Sequence, residues 1–300
     1  MAERGWIKAL GFDTDGVLVN ADPVHHEAFN VVLAKHGIAT IPWEAYKNSH
    51  EDYLSLNDYD FFQEYLASQG TLPSGELVAA LCEEKDHIYE ELSLSKPPAF
   101  YPGVVETLRY LKGRGVRLFD VTGSKRNEVL SHFRREHLES SFEFIVASED
   151  VLPGRGKPLP DPYLLAHQKL NENSPAKLRP DDCVVAEDTP GGIVSAKQAG
   201  FYAMGIPNTT PAEALWRAGA DLVVTALKPS LYDRLLSIQE RPRSGKALLE
   251  ELAGQAGVLF PPRIHVDLSA QASRGRYDQS GVARRIARAA VNYLSDSNWP

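Results

Sequence analysis

The sequence is poor in the residues that mark secreted, membrane-embedded and nucleic-acid-binding proteins. Its 300 residues include only two cysteines, Cys82 and Cys183, which form neither a disulfide framework nor a metal knuckle. No apolar run reaches the length of a transmembrane helix, and residues 1–13 lack the apolar core of a signal peptide. The net charge of -8 leaves no excess of cations for binding a phosphate backbone. We therefore expect a cytoplasmic protein whose partners are neither membranes nor nucleic acids.

What the sequence does contain is ordinary for a globular protein. Hydrophobic residues make up 43% and charged residues 24%, and the length suits one large or two modest domains. The first apolar run, "IKALGF" (residues 7–12), predicts a short buried strand. After it, the stretches 24–36, 58–70 and 75–92 carry apolar residues at helical spacing. Residues 20–95 therefore read as nearly all helix.

The pattern changes at the proline-rich boundary "SKPPAFYPG" (residues 95–103). After it, short apolar strands alternate with amphipathic helices, which is typical of parallel βαβ units with helices on both faces of the sheet. Since the first strand most simply joins this sheet, the helical stretch becomes an insertion. We predict an α/β fold, with residues 1–19 and 96–238 forming a Rossmann-like core domain and residues 20–95 a helical cap domain.

Residues 239–300 form a C-terminal extension of different character. From residue 241 onwards it holds nine Arg and Lys against five Asp and Glu, so it is mildly basic on an acidic protein. It begins with the linker-like "QERPRSGK", continues through a loop-rich stretch with one short strand, and contains a helix over residues 282–294. We expect this helix to pack on the core or on a partner, which leaves homo-oligomerisation through the extension open.

Polar residues stand where four of the predicted strands end. In open parallel sheets, ligands bind at the carboxyl ends of the strands. The residues concerned are Asp13, Thr14, Asp15, Thr122, Gly123, Ser124, Lys125, Lys157, Glu187 and Asp188. The four carboxylates would repel one another and raise one another's pKa unless a cation lay among them. A hard divalent ion such as Mg²⁺ fits oxygen ligands and a bound phosphate.

These residue types favour phosphoryl transfer. A carboxylate such as Asp13 can attack phosphorus and form an aspartyl-phosphate. Asp15, two positions on, projects to the same side of an extended chain and can protonate the leaving oxygen and later activate water. Lys157 and a metal ion can neutralise charge on the transferred group, and Thr122 with the backbone amides after it can hold phosphate oxygens.

Four motifs in the right order resemble those of the haloacid dehalogenase superfamily of phosphotransferases over about residues 7–235. They are "FDTDGVLV", "VTGSKRN", "GKPLPDPY" and "AEDTPGGI", with "YPGVVETLRYLKGRG" before the second. The resemblance implies a Rossmann-like core with a helical cap inserted after the first motif. It also implies Asp13 as nucleophile, Asp15 as acid and base, and Thr122, Gly123 and Lys157 as phosphate ligands.

The same resemblance implies the metal ligands and the reaction. Mg²⁺ would be bound by Asp13, the backbone carbonyl of Asp15 and Asp188, with Glu187 in support. Members that cleave carbon–halogen or phosphonate bonds lack the second aspartate of the first motif, so Asp15 indicates phosphate esters.

Within the superfamily, the sequence is most similar to β-phosphoglucomutase and related sugar-phosphate phosphatases. His25 in "NADPVHHEAF" and Lys85 in "EEKDHIY" match cap positions of this group, and Ser124 and Lys125 would lie on the substrate side. The mutases also carry a Gly-x-x-Arg-like signature that grips a distal phosphate. The corresponding stretch here, residues 46–62, is acidic and has no arginine, which favours hydrolysis of a monophosphate.

Several of these residues also fit purely structural roles. Asp-x-Asp also suits a turn or a helix N-cap, His25 could be a packing residue, and Lys85 could lie on a solvated helix face among acidic neighbours. We predict a Mg²⁺-dependent phosphatase for a small phosphorylated metabolite, with a sugar phosphate as the leading class. A phosphomutase is the nearest alternative, and a non-catalytic binding or regulatory protein on the same fold is an alternative of another class.

Overall fold

The computed structural model describes residues 5–48, 56–172 and 176–261, and its centre is a mainly parallel β-sheet. The strands are β1 (Ala9–Phe12), β2 (Val19–Asn20), β3 (Ala99–Phe100), β4 (Arg117–Val121), β5 (Ile145–Val146), β6 (Cys183–Glu187), β7 (Tyr202–Gly205), β8 (Leu222–Val224) and β9 (Val258–Leu259). Seven of them form one sheet in the order β5-β4-β1-β6-β7-β8-β9. All neighbours in it are parallel except β8 and β9, which are antiparallel.

The first strand joins this sheet, as predicted, and the structure places it inside the sheet, between β4 and β6. Phe12 pairs with Asp120 on one side and with Ala186 on the other. After β1 the chain builds outward through β4 and β5, and then returns to the other side of β1 with β6. This reversal is the topological switch point where open α/β sheets bind ligands.

Helices account for most of the remaining described residues. They are α1 (Asp22–Lys35), α2 (Trp43–Asn48), α3 (Asp58–Ser68), α4 (Gly75–Ser95), α5 (Val104–Gly113), α6 (Arg126–Arg135), α7 (Asp161–Glu172), α8 (Pro190–Gln198), α9 (Ala212–Arg217), α10 (Pro229–Ser237) and α11 (Gly245–Glu251). Several start at a polar cap, because a side-chain oxygen there accepts from an otherwise unpaired backbone N–H. Ser74 accepts from the Leu77 amide, and Thr189 accepts from the Gly192 amide.

The first four helices, α1 to α4, form a helical segment between β1 and β4. The chain leaves and returns to the sheet through β2 and β3, which pair with each other in antiparallel fashion. Inside the segment, Phe29 of α1 stacks on Phe61 of α3 with ring centroids 3.9 Å apart. Burial of such aromatic side chains supplies much of the stability of a small apolar core.

Buried apolar side chains divide into two clusters. The larger lies around the sheet, from residues 6–21 and 104–252. The smaller lies among α1, α3 and α4, within residues 24–89. The mainly parallel sheet with its helices confirms the predicted α/β class. The boundaries of a core domain, a cap domain and an extension stay a prediction.

Part of the C-terminal extension packs against the sheet. Helix α11 brings Leu248 and Leu249 into the larger cluster, and β9 pairs with β8. The predicted short strand therefore has a counterpart in β9, whereas α11 was not expected. The predicted helix over residues 282–294 lies outside the described residues. No helix in the described ranges combines the length and apolarity needed to cross a membrane.

Candidate active site

The predicted site residues meet at the carboxyl edge of the sheet, beside the switch point. Asp13 directly follows β1, Thr122 directly follows β4, and Asp188 directly follows β6. Because these three strands are neighbours, residues more than one hundred positions apart line one cavity. The loop before α7 adds Lys157 to the same wall.

Lys157 is held by three oxygen atoms. Its Nζ lies 2.9 Å from the Val121 carbonyl, 3.1 Å from Asp13 Oδ1 and 2.7 Å from Glu187 Oε1. An ammonium group has three N–H donors, so this arrangement uses all of them. Burial alone would lower the pKa of Lys157, but Asp13 and Glu187 raise it above its usual range. The side chain is therefore a fixed positive charge beside Asp13.

The carboxylate of Glu187 is more engaged than the sequence indicated. Besides Lys157, it accepts a hydrogen bond from the hydroxyl of Tyr163 at the same Oε1. Its other oxygen, Oε2, is buried without a hydrogen-bond partner and lies against Gly192, where a Cβ would come within 1.9 Å. Gly192 thus leaves room for the Glu187 carboxylate.

Three carboxylates form a group that could hold a metal ion. One oxygen each from Asp13, Glu187 and Asp188 lies within 4.8 Å of the others. Asp188 Oδ1 is also buried without a hydrogen-bond partner. Burial raises the pKa of Asp13 well above its usual range, and burial together with Asp22 does the same for Asp188. A cation bound by these oxygens would favour their charged forms, and an all-oxygen set suits a hard divalent ion.

Asp15 has the opposite electrostatic surroundings from Asp13. Its Oδ2 accepts a hydrogen bond from the Ser124 hydroxyl and lies 3.4 Å from His25 Nε2. Burial alone would raise the pKa of Asp15, but the contacts with His25 and Ser124 lower it to about 2. His25 itself is fixed by stacking on Tyr89 of α4, with ring centroids 4.3 Å apart. Ser124 and His25 therefore contact the predicted proton carrier.

The cavity is walled by both the sheet edge and the helical segment. The sheet side contributes Asp13, Asp15, Thr122, Gly123, Ser124, Lys157, Asp188, Thr189 and Thr209. The helical segment and the loop before α3 contribute Asp22, His25, Phe29, Tyr46, Leu56, Asp58 and Phe61. Carboxylates therefore outnumber cationic groups in the described walls.

Besides Glu187, two of the predicted residues, Lys85 and Lys125, lie near the cavity but outside its described wall. Lys85 is completely buried and lies 2.8 Å from Asp58 Oδ2 and 3.4 Å from Glu128 Oε1. Its ammonium also lies over the rings of Phe29 and Tyr89. The solvated helix face considered for Lys85 is therefore wrong. Lys125 is paired with Asp86 of α4.

Some wall residues were missed by the sequence reasoning. Asp22 and Asp58 lie at or near helix starts, where an acidic residue is unremarkable. Thr209 of the wall follows β7, and its neighbour Asn208, outside the wall, donates to the Gly16 carbonyl over 2.8 Å. The rule that ligands meet strand ends could have found this last pair, because polar residues follow β7 as well.

Comparisons with known proteins agree with this geometry. The model of the haloacid dehalogenase-like hydrolase family matches residues 7–200. A probable pseudouridine-5'-phosphatase of Saccharomyces cerevisiae is 30% identical over 67% of this chain and 83% of its own length. A phosphorylated carbohydrates phosphatase of Thermotoga maritima is 29% identical over 74% of this chain and 95% of its own length.

A solved structure gives the same result at the level of the fold. The chain superposes on CbbY from Rhodobacter sphaeroides in complex with xylulose-(1,5)bisphosphate with a TM-score of 0.64. The two sequences are 26% identical, and the match covers 75% of this chain and 96% of that one. The predicted Rossmann-like α/β fold and the predicted phosphatase class are thereby confirmed. The protein belongs to the haloacid dehalogenase-like hydrolase family.

Proposed function

We propose that the protein is a Mg²⁺-dependent phosphatase that hydrolyses a small phosphorylated metabolite through an aspartyl-phosphate on Asp13. The observation that carries this proposal is the convergence of Asp13, Lys157 and Asp188 at one sheet edge, with Asp15 beside them. This set supplies a nucleophile, a fixed cation, a metal ligand and a proton carrier within one cavity. The phosphatase relatives support the same reaction class.

The metal would be held by Asp13 and Asp188, with Glu187 and the backbone carbonyl of Asp15 in support. The unpartnered Oδ1 of Asp188 and the three oxygens within 4.8 Å support this assignment. When bound, Mg²⁺ neutralises charge on the phosphoryl group and lets the carboxylates stay ionised.

The chain's own residues would carry both chemical steps. First the Asp13 carboxylate attacks phosphorus, the bond to the leaving oxygen breaks, and Asp15 gives that oxygen a proton. Then a water oxygen attacks phosphorus, Asp15 takes the water's proton, and the bond to Asp13 breaks to release inorganic phosphate. Lys157, Thr122 and the Gly123 amide stabilise the phosphoryl oxygens throughout.

The low pKa of Asp15 bears on the first step. At a pKa of about 2, Asp15 is ionised at neutral pH before a substrate binds. A phosphate dianion beside Asp15 disfavours that charge and so raises its proton affinity. We therefore infer that proton uptake at Asp15 accompanies substrate binding, with His25 in contact as the neighbouring proton donor.

The acidic walls favour a substrate with one phosphate and a hydroxyl-rich body. Asp22 and Asp58 lie on the helical side of the cavity, where carboxylate oxygens can accept hydroxyl hydrogen bonds. Burial and the nearby Asp15 raise the pKa of Asp22 to about 6. Asp22 is therefore still mostly ionised at pH 7 and would repel a second anionic group of the substrate. Although CbbY was crystallised with a bisphosphate, the described wall here offers no arginine for a second phosphate. A sugar monophosphate is thus the leading substrate class.

A panel of phosphate esters tests the proposal. Purified full-length protein and its Asp13→Asn variant are incubated with Mg²⁺ and sugar, polyol and nucleoside monophosphates, with one sugar bisphosphate included. We expect phosphate release from at least one sugar monophosphate by the wild type and none by the variant. Accumulation of an isomeric sugar phosphate with a bisphosphate primer would instead indicate the phosphomutase. Failure on the whole panel would favour the non-catalytic alternative.

We also propose the domain division and location predicted from the sequence. The two apolar clusters, joined where β2 pairs with β3, support a core of residues 1–19 and 96–238 with a cap of residues 20–95. Residues 239–300 stay an extension of unknown role, although its described part packs on the core. Homo-oligomerisation through this extension and a cytoplasmic location remain predictions.

A further inference from the structure

A buried carboxyl group lies directly beneath the candidate nucleophile, outside the cavity wall. Asp120 is in β4, paired in register with Phe12 of β1, and is completely buried. Its Oδ1 has no hydrogen-bond partner among the described residues, and its Oδ2 accepts from the Thr14 hydroxyl over 2.9 Å. A carboxyl group in the middle of a buried strand is costly, so packing alone does not explain it. Burial raises the pKa of Asp120 to about 8.

Thr14 is the residue between the two aspartates of the first motif, and its side chain is also completely buried. Its backbone N–H donates to Asp13 Oδ1 over 2.9 Å. Its carbonyl accepts from the amides of Leu18 and Val19 over 2.8 and 2.9 Å, which closes the turn after Asp15. Three groups of one residue therefore set the turn, the Asp13 carboxylate and the contact with β4.

The amide that donates to Asp13 belongs to Thr14, the residue whose hydroxyl donates to Asp120. Asp13 Oδ1 receives both that amide and Lys157, so its carboxylate plane depends on two donors. Lys157 is itself fixed by Val121, the residue after Asp120. Both donors to Asp13 are thus anchored on the same short stretch of β4.

We propose that Asp120 is a positioning residue that, through the Thr14 hydroxyl, holds the Asp13 carboxylate in its reactive orientation. This inference rests on the proposed role of Asp13 as nucleophile. A misplaced reactive group can slow a reaction about a hundredfold without weakening substrate binding. Loss of the anchor should therefore lower kcat and leave KM almost unchanged.

The test compares polar-to-apolar changes with conservative ones. Thr14→Val and Asp120→Leu remove the hydrogen bond, whereas Thr14→Ser and Asp120→Asn keep a donor and an acceptor. With p-nitrophenyl phosphate and Mg²⁺, we expect the first two to lower kcat about 10- to 100-fold with KM within about twofold. The conservative pair should stay within about fivefold of the wild-type kcat.

The double variant Thr14→Val/Asp120→Leu separates positioning from mere stability. Replacing both partners by apolar groups removes the unsatisfied polar atom that each single change leaves, so folding should recover. Under our proposal, kcat stays low in this folded protein. A stable double variant with wild-type kcat would overturn it.

A crystal structure of the double variant decides the point without turnover. We expect the separation of Asp13 Oδ1 from Lys157 Nζ, which is 3.1 Å in this structure, to be longer in the variant than in the wild type crystallised in the same way. An unchanged Asp13 carboxylate would overturn the proposal even if the protein hydrolysed no ester. Failure of the wild type on every ester would instead refute the proposed function and leave the crystallographic result to decide this one.

Discussion

At the scale of single residues, the two aspartates of the first motif have opposite surroundings although only Thr14 separates them. Burial raises the pKa of Asp13 well above its usual range, although Lys157 acts in the opposite direction. Hydrogen bonds and the charge on His25 lower the pKa of Asp15 despite its burial. Such divergent environments are how paired carboxylates acquire different tasks. The asymmetry fits a nucleophile that needs a cation and a proton carrier that needs a partner.

The role proposed for Asp13 predicts the effect of its amide. Asp13→Asn keeps the size of the side chain but cannot form an acyl phosphate, so we expect kcat to fall by at least about 10⁴-fold. The midpoint of thermal unfolding should not fall, because the substitution removes one negative charge from the buried cluster of Asp13, Glu187 and Asp188. Steady-state phosphate release and a thermal melt measure the two effects. Activity above about 1% of wild type would exclude Asp13 as nucleophile.

The role proposed for Asp15 predicts a dependence on the leaving group. A general acid matters most when the departing oxygen is strongly basic. Asp15→Asn should therefore slow release of a sugar alkoxide about 10²- to 10⁴-fold and release of p-nitrophenolate much less. Rapid-quench measurement of the first turnover with both esters makes the comparison. Equal losses for the two esters would contradict the role of Asp15 as acid.

Gly16 is a residue for which space is the constraint. It has a φ of +76°, and a Cβ there would lie 1.8 Å from Asp188 Oδ2. Gly16→Ala should displace this carboxylate and weaken Mg²⁺ binding at least about tenfold, measured by isothermal titration calorimetry.

Gly37 offers the matched control. Its φ of +66° is similar, but a Cβ there would meet no atom within 4 Å. Gly37→Ala should lower the free energy of unfolding by about 1–2 kcal/mol and leave Mg²⁺ affinity unchanged. Equal effects of the two substitutions on Mg²⁺ affinity would contradict the proposed contact between Gly16 and the metal site.

At the scale of elements, the strand ends were predictable and the contacts between helices were not. Asp13, Thr122 and Asp188 follow apolar runs directly, so a rule about strand ends locates them from the sequence alone. Lys85 lies in α4, and its ion-pair partners Asp58 and Glu128 lie in α3 and α6. The spacing of residues within one helix carries no information about how that helix packs against others. The pairing of Thr14 with Asp120 was also missed, since it joins the turn after β1 to β4, 106 residues apart in sequence.

The α4–α6 interface predicts an acid sensitivity of folding. His132 of α6 is buried, its Nε2 lies 3.1 Å from the Tyr89 hydroxyl, and its Nδ1 accepts from Arg135 over 3.2 Å. Burial lowers the pKa of His132 to about 4 from an ordinary value of 6.5. As the pH falls, His132 is therefore protonated in the unfolded chain before it is protonated in the folded protein. The stability that the neutral, buried His132 gives the folded protein is complete above pH 6.5 and is lost as the pH falls towards 4.

The size of this loss is measurable with a single substitution. Between pH 7 and pH 5 the shift of His132 amounts to about 2 kcal/mol of the free energy of unfolding. His132→Gln removes this contribution. The free energy of unfolding, measured with urea, should therefore decrease less between pH 7 and pH 5 in the variant than in the wild type, by about that amount. His87 is exposed on α4, so His87→Gln serves as the control for replacing a histidine of this interface region by glutamine.

At the scale of the whole molecule, the sheet does not end where the family model ends. The match to the family stops at residue 200, yet β7, β8 and β9 extend the sheet beyond it. Helix α11 packs on this edge, and Arg241 lies 2.6 Å from Asp181, which precedes β6. The hydroxyl of Tyr202 also donates to the Pro242 carbonyl. The described part of the extension is therefore integral to the core.

Two shortened chains test this conclusion. A chain ending at residue 240 loses α11 and β9, and with them the buried Leu248, Leu249 and Leu252. Each buried leucine contributes about 1.5–3 kcal/mol, so the chain should unfold at a clearly lower urea concentration than one ending at residue 261. Both should retain the site residues, and hence the proposed hydrolysis, at temperatures where they are folded. Equal stability of the two chains would show that residues 241–261 only rest on the sheet edge, and the boundary predicted near residue 239 would then also be an energetic one.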